Sequence, residues 1–148
     1  MDIRRATEAD LPAVVALLAD DVLGAHRESP GDLTPYRTAF AAIDADPSEL
    51  LVVAVRGEEV VGTLQLSFLP GLSRGAALRA QVEGVRVARS ARGGGLGERL
   101  VRWALDEARS RGCALVQLTS DKSRTDAHRF YEGLGFAATH EGYKLPLR

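Results

Sequence analysis

Leu78-Arg79-Ala80-Gln81-Val82-Glu83-Gly84-Val85-Arg86-Val87 leads through Ala88-Arg89-Ser90-Ala91 into Arg92-Gly93-Gly94-Gly95-Leu96-Gly97. The first segment reads as a strand over 78–87. Beyond the glycines, Leu96, Leu100, Val101, Ala104, Leu105 and Ala108 fall on one face of a helix, which ends near Arg111-Gly112 with Gly as the cap. A strand, a glycine turn and a helix start make an anion site. The first N–H groups of a helix lack partners, and its dipole favours negative charge there. Glycines let the backbone approach a phosphate that a side chain would hold away. The bland alternative is a flexible turn, but three glycines cost about 1 kcal/mol each if held in helix. The spacing excludes two nucleotide patterns. Gly-x-x-x-x-Gly-Lys-Ser/Thr is absent, and Gly-x-Gly-x-x-Gly fails at Glu98 or at Leu100.

Working outward, Ile3 to Ala6 reads as a first strand. Thr7-Glu8-Ala9-Asp10 is a capping-box pattern with Asp in place of Glu, and residues 8–20 read as an amphipathic helix. Residues 24–35 read as a loop and Tyr36 to Ala45 as a second helix. Leu50 to Val55 and Val60 to Phe68 flank Gly57-Glu58-Glu59 as a hairpin. After the long helix come a strand over Ala114 to Thr119, a short helix from Thr125 to Leu134 closed by Gly135, and one or two final strands over Phe136 to Leu147. The order is βααβββαβαβ, an α/β domain with helices against a mixed sheet. The length of 148 residues predicts one domain, 1–148.

Composition narrows the partners. Apolar content is 45%, charged content 26% and net charge −1, so no broad basic field exists for nucleic acid or an anionic membrane. No stretch approaches the ~18 apolar residues of a membrane span, and Met1-Asp2-Ile3-Arg4-Arg5 starts no secretory signal. A cytoplasmic location is the default expectation. The single cysteine, Cys113, sits in an apolar run and reads as a small buried hydrophobe. The three histidines form no metal pattern, so no metal is expected.

Arg92-Gly93-Gly94-Gly95-Leu96-Gly97 resembles Gln/Arg-x-x-Gly-x-Gly/Ala, the acetyl-CoA signature of the GNAT N-acetyltransferases. Phe130-Tyr131-Glu132-Gly133-Leu134-Gly135-Phe136 is similar to that family's Phe-Tyr-x-x-Leu-Gly-Phe. The separation of the two motifs, the intervening helix–strand–helix and the hairpin ahead of the signature strand agree as well, so the resemblance covers nearly the whole chain. It implies the GNAT fold, with a central, mostly antiparallel mixed sheet, and acetyl-CoA as cosubstrate. It also implies a bulge that splays the signature strand from its parallel neighbour. Backbone groups five and seven residues before the signature meet the cofactor, which gives Val87 and Val85, with Arg86 between them. The Val85 N–H would stabilise the developing oxyanion.

The reaction so implied needs a neutral amine, and alkyl amines are mostly protonated at pH 7. Glu83 is the candidate base, since some members carry an acid at its position; a surface strand glutamate fits the same residue. Alternation places Gln81, Glu83, Val85 and Val87 on one face unless a bulge changes phase. Tyr131 matches the tyrosine that protonates the departing thiolate; a phenol with pKa near ~10 can donate at pH 7. Where many members carry Asn seven residues before the tyrosine, this chain has Arg124, which either approaches a cofactor phosphate or is solvated. His128 reads first as a packing residue. The expected acceptor is a primary amine on a small molecule or peptide, entering between residues 22–38 and the 69–77 loop. Asp20-Asp21 and Gly31-Asp32 offer a negative rim there. A homodimer is a family-level expectation. Other readings stay open: a non-catalytic CoA-binding sensor or regulatory module, a plain interaction domain, a different acyl donor, or an O-acceptor.

Overall fold

A computed structural model describes all 148 residues. Internal contacts divide the chain into two units, Met1–Gln117 and Leu118–Arg148.

The first unit is built on five strands in the order β1-β2-β3-β4-β5: β1 (Asp2–Arg5), β2 (Glu49–Arg56), β3 (Glu59–Leu69), β4 (Arg79–Val87) and β5 (Leu115–Gln117). All neighbours are antiparallel except β4 and β5, which are parallel. Its helices are α1 (Leu11–Ala19), the single turn α2 (Gly24–Arg27), α3 (Thr34–Ala45), the four-residue turn α4 (Ser73–Ala76) and α5 (Leu96–Ser110). The fold class is the expected one. No helix is long and apolar enough to cross a membrane.

Strand alternation gives the sheet two different faces. Leu50, Val52, Leu64, Leu66, Ala80 and Val82 are buried on one face, and α5 lies against it with Leu96, Leu100, Val101, Ala104 and Ala108 buried. Gly62 on this face has no Cβ because one would stand 2.9 Å from Leu100 Cδ1. On the opposite face, Leu51, Val53, Val55 and Val60 pack with Leu11, Val14, Leu18 and Phe40.

The start of α1 depends on Asp10. A 3₁₀ turn (Glu8–Asp10) precedes the helix, and the buried Asp10 carboxylate accepts the Thr7 N–H at 2.7 Å, the reach-back half of the expected capping box. It also accepts two bonds from the Arg4 guanidinium, at 2.8 and 3.1 Å. The Arg4 bond, then the Thr7 N–H, hold the Asp10 carboxyl below the usual carboxylate range against the opposing effect of burial. Because the folded-state value is depressed, this stabilisation is present above the unfolded value of about 3.9. It is lost as pH falls through the folded value. Asp10→Asn is expected to lower stability by about 1–3 kcal/mol at neutral pH. It should also flatten the acid limb of stability against pH, as measured by urea denaturation from pH 3 to 7.

In the second unit, α6 (Thr125–Gly133) is closed by Gly135 at φ +99, as the glycine's position predicts. The Gly135 N–H bonds Glu132 O and the Phe136 N–H bonds Tyr131 O, so the chain leaves in a tight turn. The element order differs from expectation at the end. Phe136–Arg148 forms no strand, and Tyr143, Leu145 and Leu147 are 91%, 82% and 93% exposed. Their alternation is a strand pattern, but a strand also needs a ladder partner, which periodicity cannot supply.

Candidate active site

Strand β4 carries Glu83, Val85, Arg86 and Val87, the candidate residues of the sequence analysis, and its register explains their placement. Glu83 stands opposite Gln65, whereas Arg86 stands opposite Thr63, so β4 has one extra residue. Gly84, at φ +65, provides that bulge. The bulge changes the phase of the side chains. Gln81 and Glu83 share the face of Gln65 and Ser67, and Arg86 joins them. Val87, opposite Gly62, lies on the α5 face, and alternation puts Val85 there too. The four residues Gln81, Glu83, Val85 and Val87 thus do not share one face: the bulge changes the phase, and its cause is the left-handed Gly84.

On its other side, β4 pairs with β5 only through Arg79–Gln81 against Leu115–Gln117. Val82–Val87 have no strand partner on that edge. The backbone groups of Val85 and Val87 therefore lie where the ladder has stopped. The side-chain amide of Gln117 marks the end of the ladder: its Nε2 donates to Gln81 Oε1 at 3.1 Å.

The glycine loop follows directly. A short 3₁₀ turn (Arg89–Ala91) carries the chain from β4 into Arg92, whose Nε donates to Val87 O at 3.2 Å. Gly93 (φ +83) and Gly95 (φ +79) are left-handed, and Gly95 caps α5. A Cβ on either would meet nothing within 4 Å, so the conformation, not crowding, demands glycine, and the space beside the loop is open. Leu96 is buried and anchors the first turn. Glu98 is turned along the helix, 3.3 Å from Arg102, so its charge is engaged away from the loop. Open space, left-handed glycines and a helix N-terminus fit a pyrophosphate, and the unpaired β4 edge fits an extended pantetheine arm.

Glu83 is exposed on the floor formed by β3 and β4. The Asp20-Asp21 pair is not a free negative rim. Asp20 lies 3.1 Å from Arg89, and Asp21 lies 3.0 Å from Arg86 Nε, whose N–H is not aligned for a hydrogen bond. The Arg86 side chain is thus held against the turn after α1, and its Nη1 donates to Val85 O at 2.9 Å. These pairs join residues more than sixty positions apart, so no local pattern announces them. The loop between β3 and β4 holds Arg74 and Ala76 at φ +57 and +61, a left-handed turn that costs roughly 1–2 kcal/mol per non-glycine residue.

In the second unit, Tyr131 is half-buried, and its ring meets those of Phe130 and Phe136 edge-on, with centroids 5.1 and 5.8 Å away. Arg124 is exposed at the N-cap of α6. His128 Nε2 lies 2.9 Å from Asp121 O, a structural tie at the start of the same helix. Burial pushes the Cys113 thiol up, which disfavours the reactive thiolate.

The sequence profile of the acetyltransferase (GNAT) family matches residues 12–136. The chain is 32% identical over 139 residues to the aminoalkylphosphonate N-acetyltransferase of Salmonella typhimurium, covering 94% of this chain and 86% of that protein. It is 36% identical over 88 residues to the glucosamine 6-phosphate N-acetyltransferase of Trypanosoma brucei brucei, covering 60% of this chain and 58% of that one. Among solved structures, one described as a transcriptional regulator from Bacillus halodurans C-125 superposes with a TM-score of 0.95 at 51% identity, over 99% of both chains. The fold and these matches define an acyltransferase. The chain belongs to the acetyltransferase (GNAT) family, whose members use acetyl-CoA as cosubstrate.

The glycine loop makes a direct prediction. Gly95→Val puts a branched side chain at φ +79 and into the open space of the loop. Calorimetric affinity for acetyl-CoA should fall at least ~10-fold, with a stability loss of about 1–2 kcal/mol. Unchanged affinity would remove the loop from the cofactor site.

Proposed function

We propose that this protein transfers the acetyl group of acetyl-CoA directly to the primary amine of a small molecule in a ternary complex. The observation that supports this most is the β4 edge, unpaired beyond Gln81, running straight into the left-handed glycines at the N-terminus of α5. In this reading Arg92 to Gly97 hold the pyrophosphate, with Arg124 as a further phosphate contact. Val85, Arg86 and Val87 line the acyl arm with backbone groups. Bound acetyl-CoA supplies an activated thioester. Glu83 takes a proton from the incoming ammonium, directly or through water, so that the nitrogen lone pair is free. The Val85 N–H holds the negative charge that develops on the carbonyl oxygen. The Tyr131 hydroxyl gives its proton to the departing sulfur, and the second proton shed by the acetylated nitrogen returns through solvent to the Tyr131 oxygen, so that both groups reset once Glu83 releases its proton to water. The acceptors named for the two curated relatives each combine an amine with a phosphonate or phosphate group, which favours the same class here.

Initial rates of thiol release over a grid of acetyl-CoA and amine concentrations test this reading. Intersecting double-reciprocal lines are expected; parallel lines would replace it with a covalent acyl-enzyme route.

A second reading is favoured by one comparison, the transcriptional regulator at 51% identity. There the acyl-CoA site would serve regulation. Tight acetyl-CoA binding with no amine-dependent thiol release would select it.

A further inference from the structure

Among the arginines with half-buried or deeper positions, Arg4, Arg86 and Arg111 each lie within 3.1 Å of a carboxylate. Arg79 is also half-buried, yet no carboxylate lies within 4.0 Å of it. Its hydrogen-bond partner is a neutral amide: Nη1 donates to Gln117 Oε1 at 3.4 Å, while Gln117 Nε2 donates to Gln81 at 3.1 Å. That chain orients the guanidinium without neutralising it. A partly desolvated cation without a counter-charge is unfavourable, and a planar guanidinium is suited to phosphonate, phosphate or carboxylate.

The position of Arg79 gives this meaning. Arg79, Gln81 and Glu83 occupy one face of β4, before the bulge, and continue across β3 with Gln65 and Ser67. The α1 and α3 half of this sheet face is apolar, so the polar half is unlike a helix-covered surface. The loop between β3 and β4 passes at Gly71, where a Cβ would stand 3.6 Å from Arg79 Nη2. Arg79 and Glu83 are four strand residues apart, about 13 Å between Cα atoms at 3.2–3.4 Å per residue. One strip therefore offers a cation at one end and a carboxylate at the other.

We propose that Arg79 anchors an anionic group of the acceptor, so that the acceptor is a zwitterion: a primary amine, directed to Glu83, joined to a phosphonate, phosphate or carboxylate. This rests on the acetyl-transfer reading, and the test separates the two. With the protein saturated in CoA, so that the glycine loop is filled, methylphosphonate and acetate are titrated calorimetrically. Methylphosphonate is expected to bind wild type and to lose at least ~10-fold in affinity in Arg79→Gln, with partial recovery in Arg79→Lys, each variant being checked by thermal unfolding. Acetate binding with no methylphosphonate binding would select carboxylate acceptors within the same proposal. In kinetics, Arg79→Gln should lower kcat/KM for an aminoalkylphosphonate about 10- to 30-fold, through KM, and leave its neutral dialkyl ester unchanged. Equal anion binding in wild type and Arg79→Gln, or equal losses on acid and ester, would overturn the anchor. Amine-dependent thiol release without Arg79-dependent anion binding also overturns it and leaves acetyl transfer standing. Arg79-dependent anion binding without turnover of any amine supports the anchor and overturns acetyl transfer.

Discussion

Glu83→Gln is expected to lower kcat/KM at pH 7 by about 100-fold, within the range for loss of a general base. The substitution keeps shape and polarity at an exposed strand position, so stability should change by less than ~0.5 kcal/mol. The informative variable is pH. An alkyl amine with pKa near ~10.4 gains neutral form tenfold per pH unit below that value. If Glu83 removes the ammonium proton, the variant should recover as pH rises from 7 to 9.5, because free amine then arrives without help. A loss that stays constant across that range would instead assign Glu83 a binding or structural role.

The second large effect concerns the other end of the reaction. Tyr131→Phe removes one oxygen and keeps the ring that meets Phe130 and Phe136 edge-on. The aromatic cluster and the turn closed by Gly135 should therefore persist, with a melting temperature within a few degrees of wild type. The value of kcat should fall about 10- to 100-fold, while the KM for acetyl-CoA moves little, as when an interaction made only in the transition state is removed. A rise in KM with kcat unchanged would make Tyr131 a cofactor-positioning residue rather than the proton donor.

The residues that made the fold legible share one property: their signal is local. The apolar stripe of α5, the Gly57 hairpin and the Thr7–Asp10 cap can all be read within a dozen positions, and the structure contains each. The glycine loop was legible for the same reason, since left-handed Gly93 and Gly95 need no distant partner to be required. What escaped depends on partners far along the chain. Gly84 stands in the sequence as a strand glycine, but only its positive φ shows that it shifts the phase and turns Arg86 toward Glu83's face. Asp20 and Asp21 read as a negative rim until Arg89 and Arg86 are placed beside them. Tyr143, Leu145 and Leu147 alternate as a strand should, yet no ladder receives them. Arg79 was hidden in an alternation that only the opposing burial of Ala80 and Val82 reveals.

The central claim is that an acetyl group passes from CoA to an amine under the control of this chain. Isotope-labelled acetyl-CoA incubated with the protein and a panel of anionic, neutral and cationic primary amines tests it most directly, with mass spectrometry of the amine products. The account predicts labelled amide in amounts equal to the CoA released, greatest for amines that carry a phosphonate or phosphate, and formed at least ~10-fold more slowly by the Glu83→Gln and Tyr131→Phe variants. Acetyl-CoA bound by the wild-type protein with no label on any amine of the panel would contradict it.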